Sequence, residues 1–402
     1  MTKGRKANSP RRRAKVLALC LTPEFLLGSH PFSHLLTAAT NGVFAGENLG
    51  TWALADWLEE QGDFGLAECL RESLNTTTVV PLPESHRQSW RPVMGCQGGL
   101  FYCGGRKLLA PAIKAGRPGL GLVQTLDLQG CEIGAEELAD VVECKGLTHL
   151  VRLNLRDTPL GNPGLTRIAQ CERLHNLRDL SLWGCQAGPE GARHLASAAS
   201  LGRLLRLNLR NNHLMLEGAR AILESTRLSA IHSLVMQRVF IDDGSLGSGP
   251  GWPGLRRLYL GTNRIGPESM LSLAGSNRLV NLEFLEVNGG RIRSLGAKAI
   301  VDAAKWPKLH TLEARDNRIG PGGARVLARL NLPALRLLDV RNNWLGEPGR
   351  ALLKASPLAG RKVKLLLSKN EPRPRLPVGM RPIQAGNLIR RAWTRVRGIF
   401  GI

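Results

Sequence analysis

A short pattern of leucines recurs between residues 123 and 370, and its spacing constrains the fold more than any other feature of the chain. The pattern has the form L-x-x-L-x-L-x-x-N/C-x-L, and its first copy runs from Val123 to Ile133. Its second leucine falls at positions 126, 153, 180, 207, 234, 258, 285, 312, 338 and 365, the last in a degenerate copy. Most of these positions are 27 residues apart. Self-similarity at a fixed period of this length predicts an array of stacked units.

Each unit combines the patterns of a strand, a turn and a helix. The alternating leucines predict a short strand with one buried face. Glycine and proline follow in the turn, as in Gly188-Pro189 and Gly320-Pro321, and proline suits the first turn of a helix. Because strands stack about 4.8 Å apart and helices about 10 Å apart, the helical side of the array must be longer. The array therefore curves, with its strands on the concave side.

The repeated pattern resembles the leucine-rich repeat and is similar to its ribonuclease-inhibitor-like class. The resemblance covers residues 122–370, as about ten units of 27 residues. It implies an α/β horseshoe solenoid, with parallel strands on the concave face and helices on the convex face. The fifth unit departs from the pattern, because residues 242–252 are rich in Gly and Ser where a helix is expected. This composition predicts an irregular loop on the convex side.

A short helical segment precedes the repeats. The stretch 52–63, followed by 67–71, resembles the core of the bacterial repeat-companion domain, with Leu54 in place of the usual tyrosine. This resemblance implies a small helical domain over residues 31–78 that accompanies repeats and has no assigned chemistry. Residues 1–30 are interpreted as a basic tail. Residues 79–121, rich in Gly and Pro, are interpreted as a linker and an N-terminal cap over the first strand.

Basic residues are concentrated at the two ends of the chain, whose formal net charge is +23. Residues 1–15 hold seven Lys or Arg and no acid, and residues 371–402 hold seven Arg and one acid. Such a balance favours acidic proteins, nucleic acid or anionic membrane surfaces as partners, unless the tails are merely solvated. The C-terminal tail also has helical amphipathic periodicity, which predicts either a cap for the array or a contact with a membrane or partner. The residues assigned to that contact are Arg390, Arg391, Trp393, Arg395 and Arg397.

Enzymatic and metal chemistry find little support in the sequence. The eight cysteines form no C-x-x-C pair and the nine histidines are scattered, so no zinc site, catalytic dyad or cofactor is predicted. Cys131 and Cys185 occupy a slot that other units fill with asparagine, and we expect them to face inward as structural thiols. Unpaired cysteines favour the cytoplasm. The apolar run 16–21 is too short for a signal-peptide core, and export remains the alternative.

The residue after the last strand leucine of each unit is expected on the concave surface, because side chains alternate along a strand. Four arginines and one tryptophan occupy this row, namely Arg156, Trp183, Arg210, Arg315 and Arg341. Arginine and tryptophan are typical interface anchors, so the row is a candidate partner-binding stripe. Acidic residues precede the row on the same strands, at Asp127, Asp179, Glu286, Glu313 and Asp339. They leave open a second interpretation, in which the row is a self-paired network.

These patterns together predict a non-enzymatic scaffold that binds a protein partner of unknown identity on its concave face. No small-molecule substrate is expected. The alternative hypothesis is a polyanion binder, which would hold nucleic acid or an anionic membrane surface through the basic tails and the concave arginine row.

Overall fold

The computed structural model describes residues 53–56, 58, 64–75, 79–81, 95–97, 100–104, 123–144, 147, 149–246 and 252–371. These residues form one sheet of thirteen strands whose order in space is their order in the chain. Strands β1 and β2 run antiparallel to their neighbours, and β3 to β13 are all parallel. The strands are β1 Val80–Pro81, β2 Gly95–Gln97, β3 Leu100–Gly104, β4 Thr125–Asp127, β5 Arg152–Asn154, β6 Asp179–Ser181, β7 Arg206–Asn208, β8 Ser233–Val235, β9 Arg257–Tyr259, β10 Phe284–Glu286, β11 Thr311–Glu313, β12 Leu337–Asp339 and β13 Lys364–Leu366.

Helices alternate with the parallel strands. Nearly all are short, between eight and eleven residues, because each needs to span only one unit on the convex side. The helices are α1 Phe64–Ser73, α2 Ala135–Val142, α3 Gly161–Gln170, α4 Pro189–Ser197, α5 Met215–Leu223, α6 Pro267–Ala274, α7 Arg293–Ala303, α8 Gly320–Leu327, α9 Gly346–Lys354 and α10 Pro357–Gly360.

The leucines of the sequence pattern pair across the sheet in a single continuous register. Leu126 lies opposite Leu153 and Leu153 opposite Leu180, and the same pairing continues unit by unit to Leu365. The central leucines of β4 to β12 are almost completely buried, and they form the core with the inner residues of the helices. The predicted fold is therefore confirmed as a leucine-rich-repeat solenoid, with strands on one face and helices on the other.

Buried asparagines connect successive turns. Asn343 is fully buried, and its side-chain oxygen accepts hydrogen bonds from the backbone N–H groups of Asn317 (2.8 Å) and Ile319 (3.4 Å) in the preceding unit. Its amide nitrogen donates to the carbonyl oxygens of Ala314 (2.8 Å) and Arg341 (3.1 Å). These bonds satisfy turn groups that have no partner in a strand ladder or a helix. The same arrangement recurs in other units, at Asn212, Asn263, Asn317 and Asn370.

The fifth unit contains a loop in place of a helix. Between β8 and β9, none of the described residues 236–246 and 252–256 is helical. The carboxylate of Asp243 accepts hydrogen bonds from the backbone and the hydroxyl of Ser269, in the first turn of α6. Trp252 fills the core beneath the loop, and its indole N–H donates to the carbonyl oxygen of Ser225 at 3.0 Å. An acidic side chain at a helix N-terminus and a buried tryptophan thus close the gap in the helical layer.

The described residues before the repeats comprise a helical segment and the first three strands. Leu54, Leu58 and Leu70 are fully buried, and the thiol of Cys69 lies 3.5 Å from the carbonyl oxygen of Val80 in β1. Strand β3 pairs in parallel with β4, so it lengthens the sheet by one strand before the first repeat. Most of the predicted N-terminal tail, companion-like domain and linker lies outside the described residues, as does the C-terminal tail after residue 371.

Candidate interaction surface

Three positions of each repeat strand form the solvent-facing side of the sheet, because the buried leucines alternate with them. One of these positions precedes the strand's central leucine, one follows it, and the third lies just beyond the strand end. The predicted row, Arg156 to Arg341, is the third of these positions. The structure brings its members together in two separate groups, one on β5 to β7 and the other on β10 to β12.

The first group is a stack of one tryptophan and two arginines. The guanidinium carbon of Arg156 lies 3.6 Å from the centroid of the Trp183 ring, and that of Arg210 lies 4.5 Å from it. Because β6 lies between β5 and β7, the arginines approach the indole from the two neighbouring strands. Each contact has the geometry of a cation–π interaction. We call Arg156, Trp183 and Arg210 the arginine–tryptophan stack.

Few acidic groups neutralise this stack. Arg156 forms an ion pair with Asp157, 3.0 Å away in the adjoining turn, and both side chains are more than a third exposed. Exposed pairs of this kind contribute little, roughly 0–1 kcal/mol. The Nε of Arg210 is buried and has no hydrogen-bond partner. The stack therefore holds two guanidinium groups beside the indole, and Asp157 is their one acidic partner among the described residues.

The strand-start side of the same three strands carries a second pair of arginines. Arg152 and Arg206 both approach Asp179 on β6, at 3.5 Å and 3.6 Å. Burial raises the pKa of the Asp179 carboxyl, and the two arginines oppose that shift. One carboxylate between two guanidinium groups leaves this side positively charged as well.

We define the basic face by the nine solvent-facing positions of β5 to β7 and their strand ends. It holds four arginines and one aspartate, together with neutral polar groups across its middle. Its residues are Arg152, Asn154, Arg156, Asp179, Ser181, Trp183, Arg206, Asn208 and Arg210.

The second group of predicted residues is a self-paired network on β10 to β12. The Asp339 side chain is only 2% exposed, and it accepts two hydrogen bonds from the guanidinium of Arg341, at 2.9 Å and 2.6 Å. The Nε of Arg315 lies 3.4 Å from the same carboxylate. Glu313 contacts both Arg315 and the amide of Asn288. Arg315 and Arg341 therefore belong to a self-paired network, and the arginine–tryptophan stack is the candidate partner-binding part of the row.

Glu286 extends this network into the middle of the sheet. It contacts the amide of Asn288 at 3.0 Å, and its other oxygen accepts a hydrogen bond from the side chain of Gln237, two strands away. A Cβ atom added at Gly261 would lie 2.4 Å from the Glu286 carboxylate. The absence of a side chain at Gly261, just after β9, therefore makes room for the Glu286 side chain.

An open cleft of about 440 Å³ lies beside the basic face, at the start of β7 to β9. Arg206, Arg256, Arg257 and His232 line it, and Glu283 is the only acid among its lining residues. The pKa of His232 is lowered mainly by burial, and to a smaller extent by the positive charges of Arg256 and Arg206. This edge was not predicted from the sequence, because the predicted row lies after each strand and these residues lie at or before the strand start. Two of these cations, Arg206 and Arg257, immediately precede a central strand leucine, which is the signal that could have identified them.

The cysteines of the described residues show no arrangement for chemistry. Cys185 is fully buried and its thiol lies 3.0 Å from the carbonyl oxygen of Leu155, while Cys131 is partly buried. Burial raises the pKa of the Cys185 thiol to about 12, so it stays protonated near neutral pH. In the part of the chain that the structure describes, no group of three or more His, Cys, Asp or Glu side chains could hold a metal ion. No helix there combines the length and apolar character needed to cross a bilayer.

The predicted tail contacts lie outside the described residues. These are Arg390, Arg391, Trp393, Arg395 and Arg397. The candidate surface is therefore built from the concave face alone.

Comparison with known proteins agrees with the repeat geometry. A family model described as Leucine Rich repeat matches residues 146–169, which cover most of the second unit. No curated protein matches the chain. Among solved structures, an internalin from Listeria monocytogenes str. 4b F2365 is similar at 16% identity and a TM-score of 0.38, over 75% of this chain and 94% of the internalin.

Two further structures are similar over shorter stretches. Rad7 from a yeast Rad7 and Elc1 complex is similar at 16% identity and a TM-score of 0.34, over 57% of this chain and 67% of the other. The plant peptide hormone receptor RGFR1, in complex with RGF2, is similar at 14% identity and a TM-score of 0.33, over 62% of this chain and 40% of the receptor. The continuous leucine register and the alternation of strand and helix are what make this chain a leucine-rich-repeat solenoid.

Proposed function

We propose that this protein is a non-enzymatic scaffold that binds a protein partner on the concave face of its repeats. The observation that carries the proposal is the arginine–tryptophan stack, in which two guanidinium groups and an indole are held rigidly on three adjacent strands. Residues of these types dominate the binding energy of protein interfaces when they are pre-organised and close to the centre of the contact.

The rigidity of the sheet supports this proposal. Side chains that are already ordered lose little conformational entropy when a partner binds, so more of the contact energy appears as affinity. The stack is held on both sides by strands in continuous register, and the backbone N–H groups of Arg156 and Arg210 donate to the side-chain oxygens of Asn154 and Asn208. A partner would therefore meet a surface that needs little rearrangement.

Capture of partners from the source cell tests the proposal. The double variant Arg156→Glu/Arg210→Glu reverses two charges on the concave face. The variant Arg325→Glu/Arg329→Glu makes the same charge change at exposed positions in and just after α8, on the convex side. We expect a protein captured by the wild type to be lost with the concave variant and retained with the convex one. Loss with the convex variant alone would contradict the proposal.

A second candidate function is the binding of nucleic acid or anionic membrane through the basic tails and the concave arginines. The net charge of +23 and the seven basic residues in each tail favour it. Retention on heparin or nucleic acid that falls steeply with salt, and that disappears when residues 1–15 and 372–402 are deleted, would support it. Retention that persists at high salt would argue for the protein partner.

We also propose the finer identity that the sequence implies. The repeats are of the ribonuclease-inhibitor-like class, and residues 31–78 form a bacterial repeat-companion domain. The repeat spacing of about 27 residues supports the first assignment, as do the helices of about two to three turns in the first nine units other than the fifth. We propose a cytoplasmic location, with export as the alternative, since free thiols are found at Cys69, Cys131, Cys144, Cys171 and Cys185. Fractionation of the source cell tests this location.

A further inference from the structure

The concave face of the solenoid is divided into two halves of opposite electrostatic character. The basic face on β5 to β7 holds four arginines and one aspartate. The equivalent nine positions on β10 to β12 hold two arginines and three acids, and the arginines there are paired with the buried Asp339 and with Glu313. A partner that meets both halves therefore encounters a formal net charge of +3 on the basic face and −1 on the other half.

We infer that the partner contacts this protein through an acidic polypeptide segment, which binds the basic face with its carboxylates on Arg156 and Arg210. This inference rests on the proposed protein-scaffold function and specifies the chemistry of the partner. Guanidinium groups bind carboxylates in a planar, bidentate geometry, and such charge-assisted hydrogen bonds are among the strongest available to a protein surface. Asp157 is the one acidic partner of these two arginines among the described residues, so the pair keeps a net positive charge for a partner's carboxylates.

The spacing of the stack defines the segment that it fits. Arg156 and Arg210 follow strands that are two positions apart in the sheet, which corresponds to about 10 Å at about 4.8 Å per strand. A polypeptide in the polyproline II conformation has three residues per turn and advances about 3.1 Å per residue, so carboxylates three residues apart lie on the same side, about 9 Å from each other. Asn154, Ser181 and Asn208 lie beside the stack and supply neutral hydrogen-bonding groups for the backbone of such a segment. The sequence that this surface fits is acid-x-x-acid in a polyproline II conformation, lying across β5 to β7.

The same geometry disfavours nucleic acid on this face. Single-stranded nucleic acid is held by stacking its bases on exposed aromatic rings. The arginines lie against the Trp183 ring from both neighbouring strands, so no base can stack on it unless a guanidinium is displaced. Asp157 and Asp179 also lie among the arginines. A phosphate backbone carries a charge at every nucleotide and cannot avoid them, whereas a polypeptide can place neutral residues opposite them.

Fluorescence anisotropy with a labelled peptide tests the inference on the full-length protein. The probe is Glu-Ser-Ser repeated four times with blocked ends, and the reference probe is Gln-Ser-Ser repeated four times. We expect the glutamate probe to bind at least tenfold more tightly than the glutamine probe, with an affinity that falls as salt rises. We expect Arg156→Glu/Arg210→Glu to weaken it at least twentyfold, and Arg325→Glu/Arg329→Glu to change it less than twofold. Because the two variants have the same net charge, the comparison distinguishes binding at the basic face from attraction by the overall charge of the protein.

Three results would overturn the inference. These are the absence of any preference for the glutamate probe, an equal loss in the two double variants, or tighter binding of an oligothymidylate with the same number of charges. The milder variant Arg156→Gln/Arg210→Gln, checked by circular dichroism, keeps the test valid if charge reversal impairs folding, and at least a fivefold loss is expected for it. A further outcome is that the glutamate probe fails to bind while the captured partner still requires the concave face. That combination would refute the acidic segment and leave the proposed scaffold function standing.

Discussion

Replacing Asn343 with alanine tests how the repeats are held together. This side chain is fully buried, and it connects the turn of its own unit to the turn before it. Two of its four hydrogen bonds are short, at 2.8 Å each. In one the backbone N–H of Asn317 donates to the side-chain oxygen of Asn343, and in the other the side-chain nitrogen of Asn343 donates to the carbonyl oxygen of Ala314. A buried peptide group that loses its partner costs about 1–3 kcal/mol. We therefore expect Asn343→Ala to lower the free energy of unfolding by about 2–6 kcal/mol, taking the two short bonds as dominant.

Urea denaturation and hydrogen exchange measure this effect and its location. Each repeat contacts chiefly its neighbours, so the loss of protection should be confined to the units around β11 to β13 and should leave β5 and β6 unchanged. The matched control is Asn331→Ala, at an exposed loop position, for which we expect a change within about 0.5 kcal/mol. Equal effects of the two substitutions on the urea midpoint, or a uniform rise in exchange along the whole array, would refute the role assigned to the buried asparagines.

Three further predictions concern other elements of the fold. A Cβ at Gly290 would lie 2.7 Å from two oxygen atoms, so Gly290→Ala should cost about 1–3 kcal/mol in urea denaturation. Gly322→Ala in α8, where a Cβ meets nothing within 4 Å, should instead stabilise by about 0.5–1 kcal/mol. Trp252→Phe removes the hydrogen bond to the Ser225 carbonyl and should cost about 1–2 kcal/mol, seen as a lower Tm, and an unchanged Tm would argue against that bond. Burial lowers the pKa of His149 from 6.5 to about 4, so the unfolded chain takes up the proton first as the pH falls through that window. The wild type should therefore lose about 1–2 kcal/mol more stability than His149→Asn between pH 7 and pH 5, and parallel pH profiles would contradict this.

The strand register was predictable from the sequence because one physical requirement fixes it. A shift by one residue would turn the buried leucines towards solvent and the charged residues into the core. The ten leucines from Leu126 to Leu365 therefore determine both the pairing and the face of every repeat strand. The loop in the shortened fifth unit was also predictable, because Gly and Ser stand there in place of the Ala and Leu that form the helices of the other units.

The partition of the concave row into two groups was harder to predict. It depends on the residue two positions before each row member, which shares its face of the strand. That residue is Asp339 before Arg341, so an internal carboxylate reaches the guanidinium. The corresponding residues are Asn154 before Arg156 and Asn208 before Arg210, so no carboxylate on the same strand can pair with these two arginines. These neighbours can be identified in the sequence. A side-chain contact between non-adjacent strands, such as that of Glu286 with Gln237 past Gly261, could be found only in the structure.

Site-specific photo-crosslinking measures the central claim, that the concave face binds a protein partner, most directly. A photoreactive amino acid at Ser181, beside the arginine–tryptophan stack on β6, samples the concave face. The same amino acid at Leu295, an exposed position on α7, samples the convex face. We expect crosslinks to one protein from Ser181, reduced by excess glutamate peptide, and none to that protein from Leu295. Crosslinks to the partner from Leu295 and not from Ser181 would contradict the account.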